Sequence, residues 1–280
     1  MSQSPLFTMD SGIFKYGNTG VFDDLSFSLR AGRFYGLIGP NGSGKSTLID
    51  LLMGIKELSG GRLTYKCRTL NSYRKKDLAR HLALVPQQIT VGFDYSVYDL
   101  VLMGRHPYIP RFSAPTADDV QRVDEALELM DIFHLRKRSV GTLSGGEKQR
   151  VIVARALAQA TETIMLDEAT SSLDIKHTIE IMRVLQRRVK ESGVTVLAAI
   201  HDLNLAAAFC EELLVLKEGR LYTMGKTDEI LSSALLLEVF SVQGAVLKDR
   251  AYPRIEYQMH EGGCVSPQQK SPGEASSPDR

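Results

Sequence analysis

Cysteine is scarce in this 280-residue chain: Cys67, Cys210 and Cys264 are odd in number and far apart. Such a set argues against a secreted disulfide framework and fits a reducing compartment. An excess of one charge is missing too, because 34 Lys and Arg face 33 Asp and Glu, a net of +1. Without a global basic field, coating of nucleic acid is not expected, although a local patch stays open. No stretch is long and apolar enough to be expected to span a bilayer. The opening MSQSPLFTMDSG lacks the basic residues and apolar core of a signal peptide. No internal repeat is apparent.

What is present describes an ordinary globular chain. Hydrophobic residues make up 43% and charged residues 24%. The length suits one or two domains and can bury a core without disulfide staples. Arg33–Gly39 (RFYGLIG) reads as a buried strand, and Lys45–Met53 as a helix with Leu48, Leu51 and Leu52 on one face. Residues 60–85 read as a small strand pair followed by a basic helix. From about 91 to 160 the pattern is helical. Thr116 and Asp119 form a capping box, with Val120, Val123, Leu127 and Met130 at helical spacing. Thr163–Leu166 and Val194–Ile200 are continuous apolar runs, as in a parallel sheet covered on both faces, and Ile179–Lys190 is a helical crossover between them. This alternation predicts an α/β fold. Residues 261–280 hold four Ser, three Pro and three Gly, and are expected to be disordered.

Chemistry concentrates in a few places. Gly39-Pro40-Asn41-Gly42-Ser43-Gly44-Lys45-Ser46-Thr47 fits the P-loop pattern between a strand and a helix. Its glycines let backbone N–H groups turn toward phosphate oxygens, and the helix N-terminus adds to the attraction. Lys45 would reach the terminal phosphates, and the Ser46 hydroxyl would hold Mg²⁺. TIMLDE ends a buried strand in two carboxylates: Asp167 suits Mg²⁺, and Glu168 suits a general base polarising water. Leu143–Glu147 (LSGGE) has two readings. Ser144 and Glu147 make a capping box, while Gly145 and Gly146 open the first turn to an anion, so the stretch also reads as a second phosphate-binding helix end. His201 follows an apolar strand, where strand ends near 39, 167 and 200 would converge on one crevice. Gln87 could ligate Mg²⁺ or the attacking water, or sit exposed in a loop beside Gln88. Tyr16 could stack on an adenine or pack in the core.

With these motifs in order, the chain over about residues 5–250 resembles the ATP-binding subunit of an ABC transporter, LSGGEKQR together with GPNGSGKST being highly specific. The resemblance implies a RecA-like P-loop ATPase core with an antiparallel β subdomain and an inserted helical subdomain. It implies one nucleotide-binding domain over 1–256, its helical subdomain at about 91–160, and a disordered tail over 257–280. It further implies that Tyr16 stacks on adenine, Gln87 senses Mg²⁺ and the membrane partner, Glu168 is the catalytic base and His201 contacts the γ-phosphate. Ser144, Gly145 and Gly146 would close over ATP held by a second copy, and Asp174 in SSLD would contact that opposite subunit. One departure stands out: Ala169 follows Glu168 where the family usually has proline, so a changed loop stiffness with retained hydrolysis is expected.

MGRHP (Met103–Pro107) and HDLNLA (His201–Ala206) are similar to subunits that energise uptake of iron–siderophore, haem or cobalamin. MGRHP also reads simply as a helix end, a glycine stop followed by proline. The resemblance thus implies a peripheral ATPase on the cytoplasmic face of the inner membrane, using ATP and Mg²⁺. Its expected partners are a second copy of itself, permease subunits and, indirectly, a substrate-binding protein, with no nucleic acid. The six histidines lack ligand spacing, so no further metal site is expected. The alternative is a soluble ABC-type ATPase in cluster assembly or another non-transport role. One cassette and a near-neutral chain weigh against it, because such proteins commonly carry two cassettes or basic arms.

Overall fold

The computed structural model describes residues 4–87, 94–170, 173–249 and 251–258. Along the chain come strands Phe7–Tyr16 (β1), Thr19–Leu29 (β2) and Phe34–Ile38 (β3), then helix Lys45–Leu52 (α1). Strands Gly60–Tyr65 (β4) and Arg68–Thr69 (β5), helix Lys75–Leu78 (α2) and strand Leu82–Val85 (β6) follow. Three helices come next, Val97–Leu102 (α3), Ala117–Leu129 (α4) and Gly145–Ala158 (α5). Strand Thr163–Asp167 (β7), helix Ile175–Ser192 (α6), strand Thr195–Ala199 (β8) and helix Leu203–Phe209 (α7) then alternate. The chain finishes with Glu212–Lys217 (β9), Arg220–Lys226 (β10), Thr227–Ile230 (α8), Ser233–Phe240 (α9), Gly244–Leu247 (β11) and Arg254–Tyr257 (β12).

The central sheet has the order β10-β9-β3-β8-β7-β6. All its neighbouring pairs are parallel except β10 against β9. Its inner strands are apolar throughout because both faces are covered. Phe34 and Ile38 of β3, Ile164 and Leu166 of β7, and Val196 and Ala198 of β8 enter one core with α3–α6. Their alternates, Tyr35 and Leu37, Met165, Leu197 and Ala199, enter a second core with α1 and the antiparallel sheet β2-β1-β4-β5. The architecture is the expected α/β core with an antiparallel sheet on one face and a group of helices on the other.

Several local expectations needed correction. The basic helix within 60–85 is a single turn, α2, and the run ends in strand β6, which pairs with β7 inside the core. On α4, Val123 and Leu127 are buried, whereas Val120 is 37% exposed. The capping box of Thr116 and Asp119 is present. The expected tail from 257 begins inside β12, where Tyr257 pairs with Gly244, and the backbone N–H of Gln258 donates to Gln243 O. The remainder of that tail, 259–280, lies outside the described residues, as does Cys264. MGRHP is more than a helix end. Arg105 is buried, pairs with Asp119 at 2.9 Å, and donates to the carbonyls of Ala158 (2.9 Å) and Gln159 (3.4 Å) at the C-terminus of α5. Breaking such a buried pair costs about 3–5 kcal/mol.

Candidate nucleotide site

The parallel strands β3, β7 and β8 end side by side, so the loops that follow them share one crevice. The loop after β3 needs its glycines. Gly39 has φ 154°, and a Cβ there would lie 2.2 Å from Leu216 O. Gly44, the N-cap of α1, has φ 101°, and a Cβ would lie 2.7 Å from the Phe22 ring. Both positions therefore admit only glycine without displacing backbone or core. Phe22, on β2, gives no signal in the sequence for this role.

Lys45 opens α1 and folds back over the loop, its Nζ donating to Gly39 O (2.9 Å) and Pro40 O (3.1 Å). Burial pushes its pKa down, against the opposing pull of Glu168 and Asp167. Ser46 donates to Asp167 Oδ1 at 2.8 Å. Burial is also the largest influence on Asp167, raising its pKa, and the neighbouring Glu168 and Asp50 carboxylates add to the shift. Ser43 Oγ is buried with no hydrogen-bond partner. A buried ammonium and an orphaned hydroxyl beside a glycine-rich helix start fit a polyphosphate. The hydroxyl and carboxylate oxygens at Ser46 and Asp167 fit a hard divalent cation, and the Gln87 amide reaches the adjoining Glu168.

Glu168 is the hub of the crevice. Its side chain is only 16% exposed, with His201 Nε2 at 2.6 Å from Oε1 and Lys45 Nζ at 4.0 Å. Gln87 Nε2 donates to Oε2 at 2.9 Å. The residue sits at φ 50°, a left-handed conformation uncommon outside glycine, which its three partners hold in place. Tyr16 lies at the rim, 48% exposed, its OH 3.4 Å from Thr47 Oγ1. Its ring meets Phe14 edge-on, with Lys56 Nζ 5.3 Å from the centroid. The site is thus assembled from residues up to 185 positions apart, from Tyr16 to His201.

Ser144, Gly145, Gly146 and Asp174 do not join it. Among the described residues no hydrogen bond or ion pair links them to the P-loop. Ser144 caps α5, its Oγ and N–H both engaging Glu147 Oε2 at 2.8 and 2.7 Å. Those bonds hold the Glu147 carboxyl below its ordinary range. A Cβ on Gly145 would meet nothing within 4 Å. Asp174 caps α6 and lies 2.9 Å from His177 Nδ1, its own side chain largely in solvent. Ser171 and Ser172 of the same loop lie outside the described residues.

A strand-loop-helix phosphate cradle, an acid pair on the adjoining strand and a histidine on the next define a P-loop nucleotide-binding protein. A family model described as ABC transporter matches residues 22–171, and the chain belongs to that family. The chain is 38% identical over 233 residues to the cobalamin import ATP-binding protein of Halobacterium salinarum, a match covering 83% of this chain and 58% of that relative's length. With the ferric enterobactin transport ATP-binding protein of Escherichia coli it shares 35% identity over 84% of this chain and 86% of that one. A solved metal-chelate type ABC transporter, captured inward-facing, superposes with a TM-score of 0.79 at 30% identity, covering 91% of this chain and 98% of the other. A dimeric bacterial ABC transporter cassette gives 0.70 at 25% identity, over 79% and 98%.

Proposed function

We propose that this chain is the ATP-hydrolysing subunit of an importer for a metal chelate of the iron–siderophore, haem or cobalamin kind. The observation that carries the reading is the Glu168 carboxylate, fastened between His201 and Gln87 beside the P-loop lysine. In this reading Lys45 exchanges its contacts with the Gly39 and Pro40 carbonyls for phosphate oxygens. Ser46, Gln87 and Asp167 hold Mg²⁺, which when bound neutralises phosphate charge. Glu168 takes the proton of the attacking water. The water oxygen bonds to the γ-phosphorus as the bond to the bridging oxygen breaks, and that electron pair leaves with ADP. His201 orients Glu168 and donates to the γ-phosphate.

The signature segment supports a two-copy working unit. Ser144–Gly146 presents an open helix N-terminus that, among the described residues, meets no phosphate-binding residue of its own chain, as expected if it closes over ATP on a second copy. Among the described residues no helix is long and apolar enough to cross a membrane. In this reading the chain acts from the cytoplasmic face through a permease, and a substrate-binding protein upstream chooses the chelate. On the same reading one nucleotide-binding domain runs through β12, with its helical subdomain at about 91–160.

The test is to trap full-length Glu168→Gln with ATP in native membranes, isolate it, and identify its companions by mass spectrometry. Recovery of a polytopic permease is the expected result. Recovery of soluble proteins alone would replace transport with an assembly role.

A further inference from the structure

His201 makes its 2.6 Å contact to Glu168 through Nε2, and no hydrogen bond engages its other ring nitrogen among the described residues. The ring's position is therefore set by its backbone, which β8 fixes behind and α7 fixes ahead. Strand β8 is fully buried. Helix α7 has only seven residues, and its flank toward α6 borders a cleft of about 680 Å³ between Thr178 and Arg183 on one side and Leu205 and Phe209 on the other. Tight packing against α6 does not hold it.

A side chain does. Asn204 Oδ1 accepts from Ile255 N–H at 2.7 Å, and its Nδ2 donates to Ile255 O at 3.3 Å. Ile255 is paired with Val246 across the β11–β12 hairpin, and both its N–H and its C=O are taken by Asn204. The amide thus acts as one more rung of that hairpin's ladder. The N–H of Asn204 itself donates to Asp202 Oδ1 at 2.8 Å, so bracket and His201 are joined through one capped turn. Among the described residues this is the one tie from an α7 side chain to another element through hydrogen bonds.

We propose that Asn204 is a positioning residue for hydrolysis: by fastening α7 to the C-terminal hairpin it holds His201 against Glu168. The proposal rests on the function given above, and it makes the hairpin, whose Arg254 and Ile255 border the same cleft as Glu168 and His201, a lever on turnover. Two hydrogen bonds of ordinary strength are a small share of a domain's stability. Their loss therefore opens the turn part of the time without unfolding the domain.

The experiment uses the full chain with Asn204→Ala and, as the conservative variant, Asn204→Asp, which keeps the acceptor for Ile255 N–H. Asn204→Ala is expected to lower kcat for ATP about tenfold with KM changed less than twofold. Asn204→Asp should recover part of that loss. Amide hydrogen exchange should rise at 200–206 in Asn204→Ala and stay unchanged at α1. In a His201→Ala background, Asn204→Ala should cost nothing further. An unchanged kcat, or an undiminished loss without His201, overturns the proposal. Unaltered exchange at 200–206 overturns it as well. Exchange reads the bracket in a protein of any activity, so a wild-type chain that hydrolyses no ATP would count against the assigned function, while the exchange result still decides the bracket.

Discussion

The two glycine-bearing helix starts of this molecule, at α1 and α5, are built in opposite ways. At the start of α1 the loop is completed within the chain: Lys45 on two carbonyls, Ser46 on Asp167, and Glu168 on His201 and Gln87. At the start of α5, Ser144 is satisfied by its own Glu147, and the two glycines face open space or ordinary contacts. One end is wired to act and the other is left to meet something from outside. Under the proposed function, a site divided in this way lets catalysis wait for assembly, because its second half would arrive with a second copy.

The sharpest way to break the contrast is Glu168→Gln. Removing the general base should lower turnover about 10²–10⁴-fold while ATP binding, measured by fluorescence or calorimetry, persists. Arg105→Ala should cost about 3–5 kcal/mol in urea unfolding, because Asp119 and the α5 carbonyls lose a buried cation. This effect belongs to the α5 side of the molecule, and its test of the comparison is that monomer affinity for ATP stays unchanged. Ser144→Arg should reduce hydrolysis roughly 10–100-fold, the worth of a charge-assisted phosphate bond, with nucleotide binding to monomers intact. Loss of monomer binding in that variant would mean the two ends are not separate. Smallest of all, Ser144→Ala should remove the cap of α5 for about 1 kcal/mol of thermal stability, even without nucleotide.

The chemistry was legible in sequence because it is local. A P-loop is nine consecutive residues whose glycine positions reflect backbone conformation, and Gly39 and Gly44 stand at positive φ against Leu216 and Phe22. The apolar runs at β3, β7 and β8 announced a sheet covered on both faces, and the capping boxes at Thr116 and Ser144 announced helix starts. The readings that needed correction concerned partners distant in sequence. Nothing in KKDLARHLALV says that its last residues would pair with β7. Val120 keeps helical spacing yet faces solvent, because periodicity gives a helix a face without saying how wide the covering neighbour is. Arg105 and Asn204 stood inside quoted motifs, but their roles depend on Asp119, the end of α5 and β12, from 14 to 54 positions away.

By itself the sequence determined the family and the candidate residues: a P-loop, an acid pair, a histidine, and a helix start that reads as a capping box or as a second anion-binding end. Each depends on residue type and near-neighbour spacing, which backbone geometry converts directly into shape. Only the tertiary structure decided which of these meet inside one chain. Parallel strands β3, β7 and β8 deliver Lys45, Glu168 and His201 to one crevice, while Ser144 and Asp174 are left on ends with no phosphate-binding neighbour among the described residues. Such convergence is a property of strand order and packing, set by the burial of two apolar cores over the whole chain, and no short window of residues contains it.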